Sequence, residues 1–347
     1  MKRVLWLVAL AACATLGDET AFPGELSTTG VGPFRSADEA ETGQPAGRVL
    51  DAGDDAVGRV MVAGEFLFAA VATPLDDPPA RDMALEPSAL DPAQLGPLRI
   101  ERAARTAPTF GFAGREVVLE ADRAWEGEDL RDPWVMVLPD GRARLYYVGG
   151  PGDAPALGVA EAAGPGGAFT KLGDAPILMD VRSPTVVRAP AGAAEPGFRC
   201  YFERDGTIVE ARSSDGLSFE ESPAPLALPP DGAEPAEEAV GQPGALLATT
   251  PAGREVLRLY FQSRRADGLR VLALAASLDG EVFERPELPV LELPRADVVA
   301  HPAPVLDDAG PAAGITRLHH TVRRREGDLE LREARLATTP ERLLPAE

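Results

Sequence analysis

Four polar side chains stand at matching places in a series of repeated segments, each directly before a proline. A carboxylate, a hydroxyl, an amide and an imidazole donate and accept hydrogen bonds in different combinations, and such a mixture suits a hydroxyl-rich ligand. Only one of the four is a carboxylate, so general acid and base chemistry would need a second acidic group from elsewhere. These candidate ligand-binding residues are Asp132, Ser183, Gln242 and His301.

Further residues could add chemistry beside these four. Trp134 could stack on a sugar ring, although packing between sheets is the alternative. Glu238 lies four residues before Gln242 in a polar segment, where it is either an acid of the site or a solvated surface charge. His319 and His320 are adjacent in a predicted strand and so point to opposite faces, which excludes a shared metal. We predict no metal and no cofactor, with a structural calcium in the acidic loops as the alternative.

The four residues belong to a repeat whose second-strand segments recur every 55 to 59 residues. In each copy a first strand contains a proline and a short apolar run, a second strand starts with Arg, and a third strand follows. Two copies continue with Ser-x-Asp-Gly-x-x-Phe, at 213–219 and 277–283, and Asp-Gly is typical of a tight hairpin turn. The second-strand segments are Arg144-Leu145-Tyr146-Tyr147, Arg199-Cys200-Tyr201-Phe202, Arg258-Leu259-Tyr260-Phe261 and Arg317-Leu318-His319-His320.

An earlier, diverged copy makes five. Its strands are predicted over residues 59–62, 65–68 and 83–86, and Val57 stands at the pre-proline place. Copies of about four strands, which bury their faces only against their neighbours, are typical of propeller blades. We therefore predict an all-β fold, a five-bladed β-propeller of four-stranded antiparallel blades, with a β-sandwich or a β-helix as the alternatives. The near absence of amphipathic helical runs argues against an α/β fold.

The N-terminus has the order of a bacterial export signal. Lys2 and Arg3 precede a short apolar run and then Leu-Ala-Ala-Cys, which ends at Cys13. The apolar run is too short to span a bilayer. Leu-Ala-Ala-Cys resembles the lipobox, which implies removal of residues 1–12 and a lipid on Cys13; an ordinary signal peptide is the alternative. Ala14, where Asp would resemble an inner-membrane retention signal, favours the outer membrane.

The remaining chain is expected to be a linker followed by one domain. Residues 13–50 have few bulky apolar side chains and are predicted to be a flexible linker, whereas residues 51–347 are predicted to form the propeller. The formal net charge of −21 disfavours nucleic acid and anionic lipid surfaces as partners. Membrane attachment is therefore expected through the lipid only. Cys200 lies in an apolar strand and is predicted to be buried.

The repeats resemble those of a known superfamily. The series x-Pro-x-Val, Arg-Leu-Tyr-Tyr and Ala-x-Ser-x-Asp-Gly-x-x-Phe is similar to the five-bladed propellers of the arabinanase, levansucrase and invertase superfamily, which includes glycoside hydrolase families 43 and 32. The resemblance covers about residues 57–347. It implies a central funnel in which carboxylates from the first three blades hydrolyse a glycosidic bond, and that reaction needs two carboxyl groups in different protonation states.

This chain departs from the catalytic pattern of the superfamily. Arg131-Asp132-Pro133 is similar to the invertase Arg-Asp-Pro element and to the arabinanase base motif, and Glu238 resembles the arabinanase-type acid before Gly-x-Pro. Val57, however, stands where a first-blade nucleophile would be, and no Glu-Cys acid motif follows. We rank a non-catalytic propeller that binds a carbohydrate or other polar ligand first, and an envelope scaffold for a protein partner second. An active glycoside hydrolase that uses Asp132 ranks third.

Overall fold

The structure is a computed structural model, which describes residues 34–36, 49–50, 56–72, 97–106, 111–228, 236–249, 255–285, 289–291, 298–306, 316–323 and 330–336. The regular structure in these residues consists of β-strands, here numbered β1 to β20 along the chain, and the paired strands are antiparallel. No helix in the described ranges is long and apolar enough to cross a membrane. The prediction of an all-β fold with antiparallel sheets is confirmed.

The strands form five sheets in the described residues. The first has the order β2 (Ala56–Ala63), β3 (Phe66–Ala72), β4 (Arg99–Arg105) and β5 (Phe112–Leu119). The second contains β6 (Arg131–Val137), β7 (Ala143–Gly149), β8 (Ala156–Ala162), β9 (Thr170–Lys171) and β10 (Leu178–Met179). The third contains β11 (Arg182–Arg188), β12 (Phe198–Arg204), β13 (Thr207–Ser213) and β14 (Glu220–Glu221). The fourth contains β15 (Glu237–Thr249), β16 (Glu255–Arg265) and β17 (Arg270–Ser277), and the last contains β18 (Val298–Leu306), β19 (Thr316–Arg323), β20 (Glu330–Leu336) and β1 (Phe34–Ser36).

The first strands of the sheets contact one another in a closed cycle. β2 contacts β6, β6 contacts β11, β11 contacts β15, β15 contacts β18, and β18 contacts β2. Apolar side chains fill the spaces between successive sheets, as in the cluster of Trp134, Tyr146, Val186 and Cys200. The buried position of Cys200 confirms its prediction. Antiparallel sheets that are arranged in a ring around their first strands are the architecture of a β-propeller.

The sheets are not all four-stranded. Four of them have four or more strands, whereas the fourth sheet has three described strands. Within the described residues this sheet therefore has one strand fewer than the predicted four. Beyond these three strands, the described residues add two single bridges to the sheet, Leu272 with Leu291 and Ala276 with Glu284.

The last sheet is completed by β1, from the segment predicted to be a flexible linker. β1 pairs with β20, with Phe34 opposite Leu336. Val49 and Leu50, from the same segment, are buried, and the Val49 carbonyl accepts a hydrogen bond of 2.8 Å from the Phe112 N–H. Parts of residues 13–50 thus belong to the sheets, where β1 covers what would otherwise be an open sheet edge.

The first sheet also differs from its prediction in the third strand. That strand is β4, whereas the predicted residues 83–86 lie outside the described residues. The diverged copy carries a long insertion between its second and third strands. The spacing of the other copies therefore could not locate the strand.

The two Ser-x-Asp-Gly segments form the predicted turns. Asp215 Oδ1 accepts hydrogen bonds from the backbone N–H groups of Leu217 (2.8 Å) and Ser218 (3.0 Å). Asp279 accepts the corresponding two bonds in its own turn. Gly216 has a φ of 72°, which glycine adopts without the steric cost of a Cβ atom.

The Arg-x-Tyr motif of one sheet holds the turn of the next sheet. Tyr146 Oη donates to the Gly216 carbonyl at 3.0 Å, and Arg144 Nη1 donates to the Asp215 carbonyl. A Cβ atom on Gly216 would lie 2.7 Å from Arg144 and 2.8 Å from Tyr146. Two sequence motifs that recur along the chain therefore meet at the contact between neighbouring sheets.

We predict that Asp215→Ala lowers the free energy of unfolding by about 1 kcal/mol, because two backbone N–H groups lose their acceptor. Denaturant unfolding monitored by tryptophan fluorescence measures the change. The matched control is Asp153→Ala, which removes an exposed carboxylate from a loop of the second sheet. An equal loss in both variants would contradict the role assigned to the turn.

Candidate functional site

The four residues before the prolines occupy one structural position in four sheets. In each first strand the pairing register shifts at these residues, as between Arg131 and Trp134 in β6. All four have left-handed backbone conformations, which cost energy in residues other than glycine and which cluster at functional sites. The φ angles are 49° for Asp132, 47° for Ser183, 51° for Gln242 and 52° for His301.

The first sheet departs from this pattern. Its register shift lies between Val57 and Val60, so Gly58 stands at the place of the polar residue and Arg59 at the place of the proline. Val57, which the sequence predicts at this place, lies one residue before it. Because glycine has no side chain, the bulge residue of the first sheet contributes no carboxylate.

Side chains link these bulges from one sheet to the next. Asp132 Oδ2 accepts a hydrogen bond of 2.9 Å from the Ser183 N–H, and Gln242 Oε1 accepts one of 3.0 Å from the His301 N–H. Between them, Glu203 Oε2 accepts a bond of 3.0 Å from the Gln242 N–H. A buried backbone N–H group needs such a partner. Asp132 and Gln242 therefore support the backbone of the following sheet.

A pocket brings three of the predicted residues together. Asp132, Ser183 and His301 line it, and residues that the sequence analysis did not single out as site residues line it as well. These additional polar residues are Arg59, Asp129, Arg131, Arg182 and Glu203. The pocket thus contains three carboxylates and three guanidinium groups, together with one hydroxyl and one imidazole.

The other predicted residues do not line this pocket. Gln242 is buried and holds the His301 N–H. Trp134 is also buried, and its Nε1 donates to the Val186 carbonyl at 2.7 Å, which matches the alternative of packing between sheets. Glu238 is exposed on β15, at a register shift, and lies away from the pocket lining.

The sequence contains a signal for Glu203. It follows the second-strand segment of its repeat, where the sister repeats have Val148, Gln262 and Thr321. Gln262 donates to the Val299 carbonyl at 2.6 Å, and Thr321 lies 3.0 Å from His301 Nδ1. At the residue directly after the second-strand segment, three of the four copies have a polar side chain.

Arg59 lies almost fully buried at the pocket, with 1% of its surface exposed. Its guanidinium carbon lies 5.2 Å from the centre of the Trp134 ring, and Nη2 donates to the Pro243 carbonyl. Burial lowers the pKa of Arg59 to about 10, against the opposing effects of Asp132 and Glu203. Arg59 is therefore a cation at neutral pH.

His301 is neutral at the same pH. Burial lowers its pKa to about 4; Asp132 opposes this shift and Arg59 adds to it. His301 Nδ1 lies 3.0 Å from the Thr321 hydroxyl, which itself donates to the Ala300 carbonyl at 3.3 Å. Since a hydroxyl has one proton, Nδ1 is assigned as the donor in this contact.

The loop before Asp132 is held by a buried carboxylate. Glu126 is fully buried and accepts hydrogen bonds from Lys171 Nζ (2.6 Å) and Tyr147 Oη (2.7 Å). Burial by itself would raise the pKa of Glu126, yet these bonds and two from backbone N–H groups keep the pKa below its ordinary value. The same loop carries Asp129, whose Oδ1 accepts from the Leu98 N–H at 2.9 Å.

The arrangement suits recognition of a polar ligand by hydrogen bonds. Within the ranges that the structure describes, no three His, Cys, Asp or Glu side chains are grouped so that they could hold a metal ion. Carboxylates accept from hydroxyl groups and guanidinium groups donate to acceptor oxygens. A hydroxyl-rich molecule can use both kinds of group in this pocket.

No protein-family model matches the chain, and no curated protein matches it, but solved structures do. An endo-arabinase from Bacteroides thetaiotaomicron is 14% identical with a TM-score of 0.52, over 83% of this chain and 94% of that one. A protein of the GH130 family, which contains glycoside hydrolases that target β-1,2 mannosidic linkages, is also similar. It is 14% identical with a TM-score of 0.53, over 92% of this chain and 97% of that one. A GH43 enzyme from Xanthomonas citri, solved with xylotriose, is 15% identical with a TM-score of 0.53, over 85% and 91%. At these identities the likeness shows the fold, a β-propeller of the kind found in glycoside hydrolases.

We predict that His301 makes the stability of the protein depend on pH between about 6.5 and about 4. In this window the unfolded chain binds a proton that the folded chain does not, so stability falls as the pH is lowered, by up to about 1.4 kcal/mol per pH unit. Denaturant unfolding across this range should show a shallower fall for His301→Gln than for the wild type. Parallel curves for the two proteins would contradict the prediction.

Proposed function

We propose that this chain is a carbohydrate-binding propeller without glycosidase activity. The observation that carries the proposal is the bulge of the first sheet, where Gly58 lacks a side chain and Arg59 places a cation at the pocket. A glycosidase needs a carboxylate beside the anomeric carbon in addition to an acid at the leaving oxygen. The resemblance to the superfamily implies that the first blade supplies one of these groups. This chain has no carboxylate at that bulge.

Sugar hydroxyls are the proposed partners of the pocket carboxylates. Asp132 and Glu203 each have one oxygen held by a backbone N–H of the following sheet, so each carboxylate has a defined orientation. Ser183 and His301 add a hydroxyl and a neutral imidazole to the lining. The likeness in fold to a GH43 enzyme solved with xylotriose supports a carbohydrate as the class of ligand.

A glycoside hydrolase is the second candidate, because Asp132 and Glu203 line the same pocket. Glu203 would then take the place of the acid that the sequence analysis assigned to Glu238. A scaffold for an envelope protein has less support, since an exposed apolar patch would favour it. The exposed large apolar side chains of the described residues lie in separate elements and are Val117, Val137, Met179 and Val282.

We predict that the purified protein binds at least one member of a panel of plant, fungal and bacterial glycans and releases no new reducing ends from any of them. Asp132→Asn and Glu203→Gln should each weaken binding about tenfold, because each removes the charge from a hydrogen-bond acceptor. Asp153→Asn, an exposed change outside the pocket, is the matched control.

Calorimetry and a reducing-end assay separate the candidates. Release of reducing ends that disappears in both pocket variants would establish the glycoside hydrolase instead. Absence of binding to every glycan would leave the protein-scaffold candidate.

We also propose that each of the five sheets, including the three-stranded one, is one blade of a single ring. The cycle of contacts among β2, β6, β11, β15 and β18 supports this count. The pairing of β1 with β20 would close the ring with strands from both ends of the chain. The propeller would then include parts of residues 13–50 as well as the predicted domain at 51–347.

We further propose that the protein is exported and anchored to the outer membrane by a lipid on Cys13. Residues 1–33 lie outside the described residues, so this proposal rests on the Leu-Ala-Ala-Cys sequence. In a Gram-negative host, metabolic labelling with palmitate should mark the wild type and not Cys13→Ser. Cys200→Ser is the matched control, and it should keep the label. Equal labelling of wild type and Cys13→Ser would refute the anchor.

A further inference from the structure

Arg59 has hydrogen-bonding capacity that the protein itself does not use. Nη2 donates to the Pro243 carbonyl, but the buried Nε and Nη1 groups have no hydrogen-bond partner in the part of the chain that the structure describes. Among those same residues Arg59 makes no ion pair within 4.0 Å. A buried guanidinium with open donors is costly unless a further partner completes its hydrogen bonds. Because Arg59 lines the pocket, a ligand can be that partner.

A carboxylate is the group that best completes such a site. It supplies a negative charge and two acceptor oxygens, and charge-assisted bonds between guanidinium and carboxylate are stronger than bonds to a neutral hydroxyl. A neutral sugar would satisfy the donors one hydroxyl at a time and would bring no negative charge into contact with the guanidinium. The chemistry of Arg59 therefore favours an acidic ligand over a neutral one.

The pocket can accept an anion although the whole chain is acidic, with a formal net charge of −21. Arg131 and Arg182 also line the pocket and donate to the carbonyls of Gly150 (2.8 Å) and Gly152 (2.6 Å). With Arg59 they make three cations, which offset the three carboxylates of the lining. Those carboxylates are Asp129, Asp132 and Glu203.

We propose that the pocket selects a carbohydrate that carries a carboxylate, a uronic acid residue, with that carboxylate on Arg59 and the sugar hydroxyls on Asp132 and Glu203. This inference rests on the proposed function and specifies the class of its ligand. Asp132 and Glu203 accept backbone N–H bonds through one oxygen each, which orients them as hydroxyl acceptors. The two carboxylates also favour the charged form of Arg59.

Matched pairs of sugars test the inference on the full chain. Isothermal titration calorimetry at neutral pH compares D-glucuronate with D-glucose and D-galacturonate with D-galactose, with acetate as the free carboxylate. We expect at least one acid to bind about tenfold or more tightly than its neutral counterpart, and acetate to bind much more weakly than that acid. This comparison in the wild type depends on no variant.

Variants assign the preference to Arg59. Arg59→Gln removes the charge and should abolish the preference for the acid, whereas Arg59→Lys keeps the charge and should retain part of it. Arg142→Gln, which removes an arginine that pairs with Asp140 outside the pocket, is the matched control and should bind like the wild type. Circular dichroism verifies that each variant is folded.

The outcomes separate this inference from the proposed function. Equal affinity for acidic and neutral sugars, or acetate binding as tight as that of the acids, overturns the inference and leaves carbohydrate binding in place. Binding of glycans from the wider panel without binding of either uronate has the same meaning. A preference for the acid that persists in Arg59→Gln also overturns it, because the carboxylate would then bind elsewhere. If no carbohydrate binds at all, the proposed function fails and the inference fails with it.

Discussion

The buried backbone N–H groups at the bulges of the first strands are the constraint on which the centre of the molecule depends. A left-handed residue followed by a proline interrupts the strand pairing, so the N–H of the bulge residue loses its partner in its own sheet. The neighbouring sheet supplies the acceptor in three cases, through Asp132, Glu203 and Gln242. The third, fourth and last sheets therefore each depend on the sheet before them for a hydrogen bond at a residue with a left-handed backbone.

The same constraint shapes the pocket. Asp132 and Glu203 are at once acceptors for the backbone and polar groups of the lining, so their orientation is set by the fold before any ligand arrives. The first sheet is the exception, since Gly58 has no side chain that could accept a hydrogen bond and Arg59 brings a buried charge instead. The charge of Arg59 is tolerated because Trp134 stacks on it, Pro243 accepts from it and carboxylates lie near it. A pocket with this cation differs chemically from one designed for two catalytic carboxylates.

The hairpin turns also satisfy backbone N–H groups with side-chain acceptors. Asp215 and Asp279 accept hydrogen bonds from N–H groups of their own turns, and Arg144 and Tyr146 of the neighbouring sheet lie beside Gly216. In the last sheet, β1 pairs with β20. The ring thus depends on contacts within each repeat, on hydrogen bonds between neighbouring sheets and on the pairing of β1 with β20.

The sequence by itself determined the repeated strands of the later copies, the equivalence of the four pre-proline residues and the two hairpin turns, because proline, Asp-Gly and the alternation of apolar residues act over a few neighbouring residues. It also brought together Asp132, Ser183 and His301, since a repeat places equivalent residues at equivalent positions around a ring. Only the tertiary structure decided that Glu203 and Arg59 join the pocket while Glu238 stays outside, that Glu126 is buried, and that β1 belongs to the last sheet. Those outcomes depend on contacts between residues far apart in the chain, where burial and strand pairing are set by the assembled ring and not by neighbours in sequence.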